Sequence, residues 1–126
     1  MMLDWSDYQK QVLATVAELG RNTPGTVRGY RELSNAGGAK DLLGAKTREL
    51  IALAVAVTRQ CDGCIVIHTD AALKHGAGAT REEIAEALGV AIAVNAGAAL
   101  VFSTRVLDAY AARSAASTTS KKEHDE

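Results

Sequence analysis

The chain has 126 residues, enough for one domain, with 48% hydrophobic residues, 23% charged residues and a net charge of −1. No Lys/Arg stripe runs along an element and no aromatics interleave with basic residues, which excludes nucleic acid as a partner class. Aromatics make up only 4%, and an alanine-rich core buries little area per residue, so part of the stability is expected from interfaces between copies of the chain.

The sequence predicts an all-α fold of about six helices without a sheet. The first helix runs from about Trp5 to Leu19, with Val12, Leu13, Val16 and Leu19 at helical spacing. Pro24 suits the first turn of a second helix, through about Leu33. Asn35-Ala36-Gly37-Gly38 reads as a loop. A third helix covers about Ala45 to Arg59; it is apolar all round from Leu50 to Val57, a pattern that predicts burial on every side. The fourth begins near Cys61 and reaches about His75, with Gly76 and Gly78 ending it. Thr80-Arg81-Glu82-Glu83 is a capping box for a fifth helix, with Ile84, Leu88 and Ile92 on one face. Asn95-Ala96-Gly97 is expected to break it before a sixth helix, to about Arg113. Residues 1–113 form the expected domain, and the Ser/Thr/Lys/Glu-rich stretch 114–126 reads as a disordered polar tail.

No basic region followed by an apolar run opens the chain, so no signal peptide is read. The uncharged stretch Ala87–Thr104 contains Gly89, Asn95 and Gly97 and is read as two buried core helices rather than a membrane span. Together these readings predict a cytoplasmic protein with no membrane partner.

The chemistry concentrates in Cys61-Asp62-Gly63-Cys64-Ile65-Val66-Ile67-His68. At about 100° per residue, Cys61, Cys64 and His68 share one narrow helical face, and Cys64 and His68, four apart, are neighbours. A thiol of pKa about 8.5 is mostly protonated at neutral pH, and the thiolate is the nucleophile. A helix N-terminus favours the negative charge, an adjacent imidazole can take the proton, and a second thiol three residues away can close a disulfide. Glu49, early in the third helix, can face His68 if the short Thr58-Arg59-Gln60 connection lays the third and fourth helices side by side, and would orient the ring. Taken singly, each residue has a plainer reading: buried inert thiols, a core histidine, and a first-turn acid paired with Lys46 or Arg59. His75, about 10 Å further along the helix than His68, is read as outside the site. Two other classes use the same residues. One is a zinc site of Cys61, Cys64 and His68, with Glu49 as a fourth ligand, although three ligands on one helix are unusual for structural zinc. The other is a thiol sensor or assembly protein that oxidises once without turning over.

The spacing of Glu49, Cys61, Cys64 and His68 resembles the alkylhydroperoxidase D (AhpD) core of the carboxymuconolactone decarboxylase superfamily. Arg48-Glu49-Leu50-Ile51-Ala52-Leu53 before the motif, and Thr69 and His75-Gly76-Ala77 after it, extend the resemblance over roughly residues 45–93. The resemblance implies that Cys64 attacks a hydroperoxide, Cys61 resolves it as a disulfide, and Glu49 and His68 relay protons. It implies no cofactor and no metal, an external dithiol or lipoyl-type reductant, and a homotrimer or homohexamer. Lactone decarboxylases of the superfamily lack this cysteine pair. One position departs from the pattern: the fuller relay has a second histidine between the cysteines, where this chain has Gly63.

Overall fold

The computed structural model describes residues 1–74 and 76–124, and His75 lies outside them. The described residues form five helices and no strand: α1 (Trp5–Asn22), α2 (Pro24–Ala36), α3 (Gly44–Thr58), α4 (Asp62–Leu73) and α5 (Arg81–His124). The all-α expectation therefore holds.

Local chemistry sets most boundaries. Asp4 caps α1, its carboxylate accepting the Asp7 N–H at 3.1 Å. Pro24 opens α2, where its missing N–H costs nothing. The α1–α2 turn is tight: a Cβ on Gly20 would sit 3.6 Å from the Val27 side chain, and Val27 is buried. At the other end of the chain's first unit, Thr80 and Glu83 form the expected capping box. The Glu83 N–H donates to Thr80 Oγ1 and the Thr80 N–H to Glu83 Oε1, both at 3.1 Å. The backbone N–H of Thr80, and then Lys46 Nζ 3.1 Å away, hold the Glu83 carboxyl below the usual carboxylate range. A carboxyl lowered in the folded chain favours folding above its unfolded pKa, and that contribution fades as pH falls through the folded value.

The chain divides into two units, residues 1–91 and 92–126. In the first, α3 and α4 pack together, and α1 lies against α2 and α4. Leu53, Ala72 and Ala79 form the buried core, with Leu50 and Ile84 against it. Small residues dominate this core, as the composition led one to expect. The all-round burial expected for α3 is corrected: Leu53 and Ala56 are buried, but Ile51 and Val55 are half exposed in the single chain.

The expected break at Asn95-Ala96-Gly97 is absent, and so the fifth and sixth expected helices are one. A glycine inside a helix costs only about 1 kcal/mol relative to alanine, and the alanines around it propagate the helix readily. The Ser103 and Thr104 hydroxyls bond back to the Ala99 and Val101 carbonyls at 2.6 and 2.7 Å and stay within the helix. Helix α5 then continues to His124, across residues expected as a disordered tail; Thr118 and Thr119 make the same kind of back-bond, to Ser114 and Ala115. Extending an existing helix needs no new nucleus. Nor is the stretch Ala87–Thr104 buried core. Val90, Ile92, Val94, Leu100, Val101 and Phe102 are each more than half exposed. By length and composition alone, α5 is apolar enough to cross a membrane: its most apolar 18-residue window has a mean hydropathy of 1.9 and is 6% buried.

Candidate active site

Helix α3 ends in a turn that delivers the first cysteine. Gln60 takes a left-handed conformation (φ 52°), and the Cys61 N–H reaches back to the Ala56 carbonyl at 3.1 Å. This is a Schellman-type ending, in which the residue after the left-handed one bonds across the last turn. The chain reverses within Arg59-Gln60, and Cys61 emerges in extended conformation as the N-cap of α4.

The Cys61 sulfur accepts the Cys64 N–H at 3.1 Å, in the place where a Ser or Asp oxygen commonly caps. Cys61 and Cys64 are joined as a disulfide, with Cα atoms 5.2 Å apart. That separation lies inside the range that disulfides occupy. Both residues are partly accessible at the start of the helix.

One turn after Cys64, His68 points its ring at α3. Its Nδ1 lies 2.8 Å from Glu49 Oε2, and the two side chains are 33% and 23% exposed. A carboxylate only accepts hydrogen bonds, so the contact requires the proton on Nδ1. That leaves Nε2 as the nitrogen able to take a proton. The pairing of Glu49 with Lys46, considered from the sequence, is not formed: Lys46 binds Glu83 instead. Packing of α3 on α4 thus joins His68 to Glu49, one helical turn from the Cys61–Cys64 pair. Among the described residues, no three His, Cys, Asp or Glu side chains converge as a metal-binding cluster.

Two features escaped the sequence reading. A hollow of about 410 Å³ opens beside the pair, lined by Ser34, Asn35, Gly38, Arg48, Glu49 and His68 among others. Arg48 Nη1 donates to Asp41 at 2.5 Å across the α2–α3 connection, with Asp41 in left-handed conformation (φ 49°). Only the Arg48-Glu49 adjacency hinted at the first. Nothing in the sequence marked Asp41.

Comparison with known proteins decides the family. The model of the carboxymuconolactone decarboxylase family matches residues 24–109, which span α2, α3, α4, the cysteine motif and part of α5. The chain belongs to that family. An uncharacterized protein of Haemophilus influenzae is 46% identical over 115 residues, covering 91% of this chain and all of the relative. An uncharacterized protein of Cupriavidus necator is 35% identical over 71% of this chain and 77% of its own length. One from Paracoccus denitrificans, described as uncharacterized protein 4 in the cox locus, is 36% identical over 75% and 83%. The carboxymuconolactone decarboxylase family holds AhpD-type peroxidases and decarboxylases, and the cysteine pair of this member is compatible with the former. At position 63, where a fuller relay would carry a histidine, a Cβ would lie 3.6 Å from Val12 of α1, an ordinary contact.

Proposed function

We propose that this family member is a thiol-dependent peroxidase or disulfide reductase acting on alkyl hydroperoxides. The observation that carries the reading is a cysteine pair within disulfide reach at a helix start, one turn from an imidazole held by Glu49. His68 Nε2 takes the Cys64 proton. The thiolate attacks the terminal peroxide oxygen, the O–O bond breaks, and the alkoxide leaves as the alcohol after receiving a proton from the relay. Cys64 is then a sulfenic acid. The Cys61 sulfur attacks it, water leaves, and the disulfide closes. Overall, two thiols and ROOH give a disulfide, ROH and water. An external dithiol or lipoyl group restores both thiols by exchange. The helix N-terminus supports charge on the Cys61 sulfur as it departs in that exchange.

Reduced protein mixed with cumene hydroperoxide and excess dihydrolipoamide should consume the two in a 1:1 ratio, over many cycles per chain. Consumption no faster than with dihydrolipoamide alone would remove the peroxidase reading. Oxidation that stops after one equivalent per chain would favour the thiol-sensor reading, which the absence of a side chain at Gly63 supports.

We propose further that the protein is a cytoplasmic homo-oligomer, a trimer or hexamer. The exposed apolar side chains on α5, and Leu13 and Leu19 on α1, support this. Light scattering at micromolar concentration should give three or six times the 13.2 kDa chain mass. A monomer that stays soluble without detergent would contradict it. Partition into detergent or lipid would point to a membrane instead.

A further inference from the structure

The hollow beside Glu49 and His68 has a volume typical of small-molecule sites. It contains one guanidinium, that of Arg48, whose side chain is one-third exposed. A guanidinium has five N–H donors, and the described bond uses one of them, from Nη1 to Asp41. The Asp41 side chain is 69% exposed, and such exposed pairs contribute little to stability. The Asp41 carboxylate is therefore displaceable. Gly38 stands beside the guanidinium, where a Cβ would lie 3.4 Å from Arg48 Nε. Ser34 and Asn35 add a hydroxyl and an amide to the same wall, and half-exposed Ile51 adds an apolar surface. The negative charge of Glu49 is engaged by His68.

We propose that Arg48 binds the carboxylate of an anionic organic hydroperoxide seated in this hollow, with Asp41 holding its place when the site is empty. A planar guanidinium takes a carboxylate through two parallel N–H···O bonds, which fixes its orientation as well as its charge. The peroxide end then passes His68 toward Cys64, one turn of α4 away. The inference rests on the peroxidase reading. The carboxylate end takes no part in the chemistry, so the balance is unchanged: ROOH and two thiols give ROH, water and the disulfide.

Two probes that differ only in charge test it: cumene hydroperoxide and its para-carboxylated analogue, with their alcohol products as binding ligands for the oxidised protein. The carboxylated alcohol should bind about tenfold or more tightly than the neutral one by calorimetry. The kcat/KM ratio of the two hydroperoxides should favour the carboxylated one by about the same factor, carried mainly in KM. Arg48→Gln should bring both ratios near one, and Arg48→Lys should retain part of the preference. Asp41→Asn should raise the preference by removing the competing carboxylate. Each ratio is internal to one protein sample, so partial loss of folded protein does not mimic the effect. Equal affinities in the parent, or an undiminished ratio in Arg48→Gln, would overturn the proposal. A parent that reduces both hydroperoxides with no charge preference overturns this inference alone. A parent that reduces neither overturns the peroxidase reading, and the hydroperoxide assignment with it.

Discussion

Cys64→Ser is expected to abolish peroxide reduction, with turnover falling on the order of 10³-fold or more. The serine hydroxyl cannot become a sulfenic acid or join a disulfide, so no step of the cycle survives. Cys61→Ser should behave differently. Cys64 and His68 remain one turn apart on α4, so the first attack proceeds. The product then stops as a sulfenic acid, because no second sulfur lies 5.2 Å away at the Cα to close the ring. Mass spectrometry after dimedone trapping separates the two outcomes: an adduct in Cys61→Ser and none in Cys64→Ser. The reverse pattern would assign the attack to Cys61, whose sulfur receives the Cys64 N–H at the helix start. An adduct in neither would remove the cysteines from peroxide chemistry.

His68→Gln is expected to slow thiol oxidation about 10²- to 10⁴-fold at neutral pH, the usual range for loss of a positioned base. The deficit should depend on pH in a definite direction. Above the ordinary thiol pKa of about 8.5, solvent forms the thiolate without a base, so the variant should approach the parent. Below it, the gap should be widest. Glu49→Gln should have a smaller effect. Its amide oxygen can still accept the Nδ1–H that Glu49 Oε2 accepts at 2.8 Å, as a neutral and weaker acceptor than a carboxylate. Turnover should slow while disulfide formation persists. Rates of thiol oxidation by peroxide measured from about pH 6 to 10 check all three proteins together. A pH-independent loss in His68→Gln would make the residue structural rather than the base.

The parts of this molecule written in local chemistry could be read without coordinates. Pro24 at a helix start and the reciprocal Thr80–Glu83 cap depend on residues within a few positions, and both are where the sequence put them. The site is legible for a related reason. Cys61, Cys64 and His68 lie within eight residues; helical spacing groups Cys64 with His68 on α4, and Cys61 joins them as its N-cap rather than on the helical face the spacing predicted. Glu49 needed one further step, the tight α3–α4 turn, and the left-handed Gln60 that makes the turn carries no strong sequence signal. The misreadings occur where propensity competes with context. Asn95-Ala96-Gly97 has the composition of a break, but the alanines on either side carry the helix through it. The apolar runs of α3 and α5 predict burial correctly only for part of their surface; Leu53, Ala56 and Ala91 are buried, while Ile51, Val55, Val90, Ile92, Val94, Leu100, Val101 and Phe102 are each at least half exposed. The Arg48–Asp41 pair spans seven residues outside any one element, and no periodic pattern encodes it.

The central claim is that Cys61 and Cys64 are a redox pair driven by the His68–Glu49 relay. Its most direct test is the count of free thiols in reduced protein mixed with a slight excess of cumene hydroperoxide, followed over time. The structure predicts loss of both thiols of each chain together, far faster than a free thiol in solution under the same conditions. Loss of none, or loss at the rate of a free thiol, would contradict it.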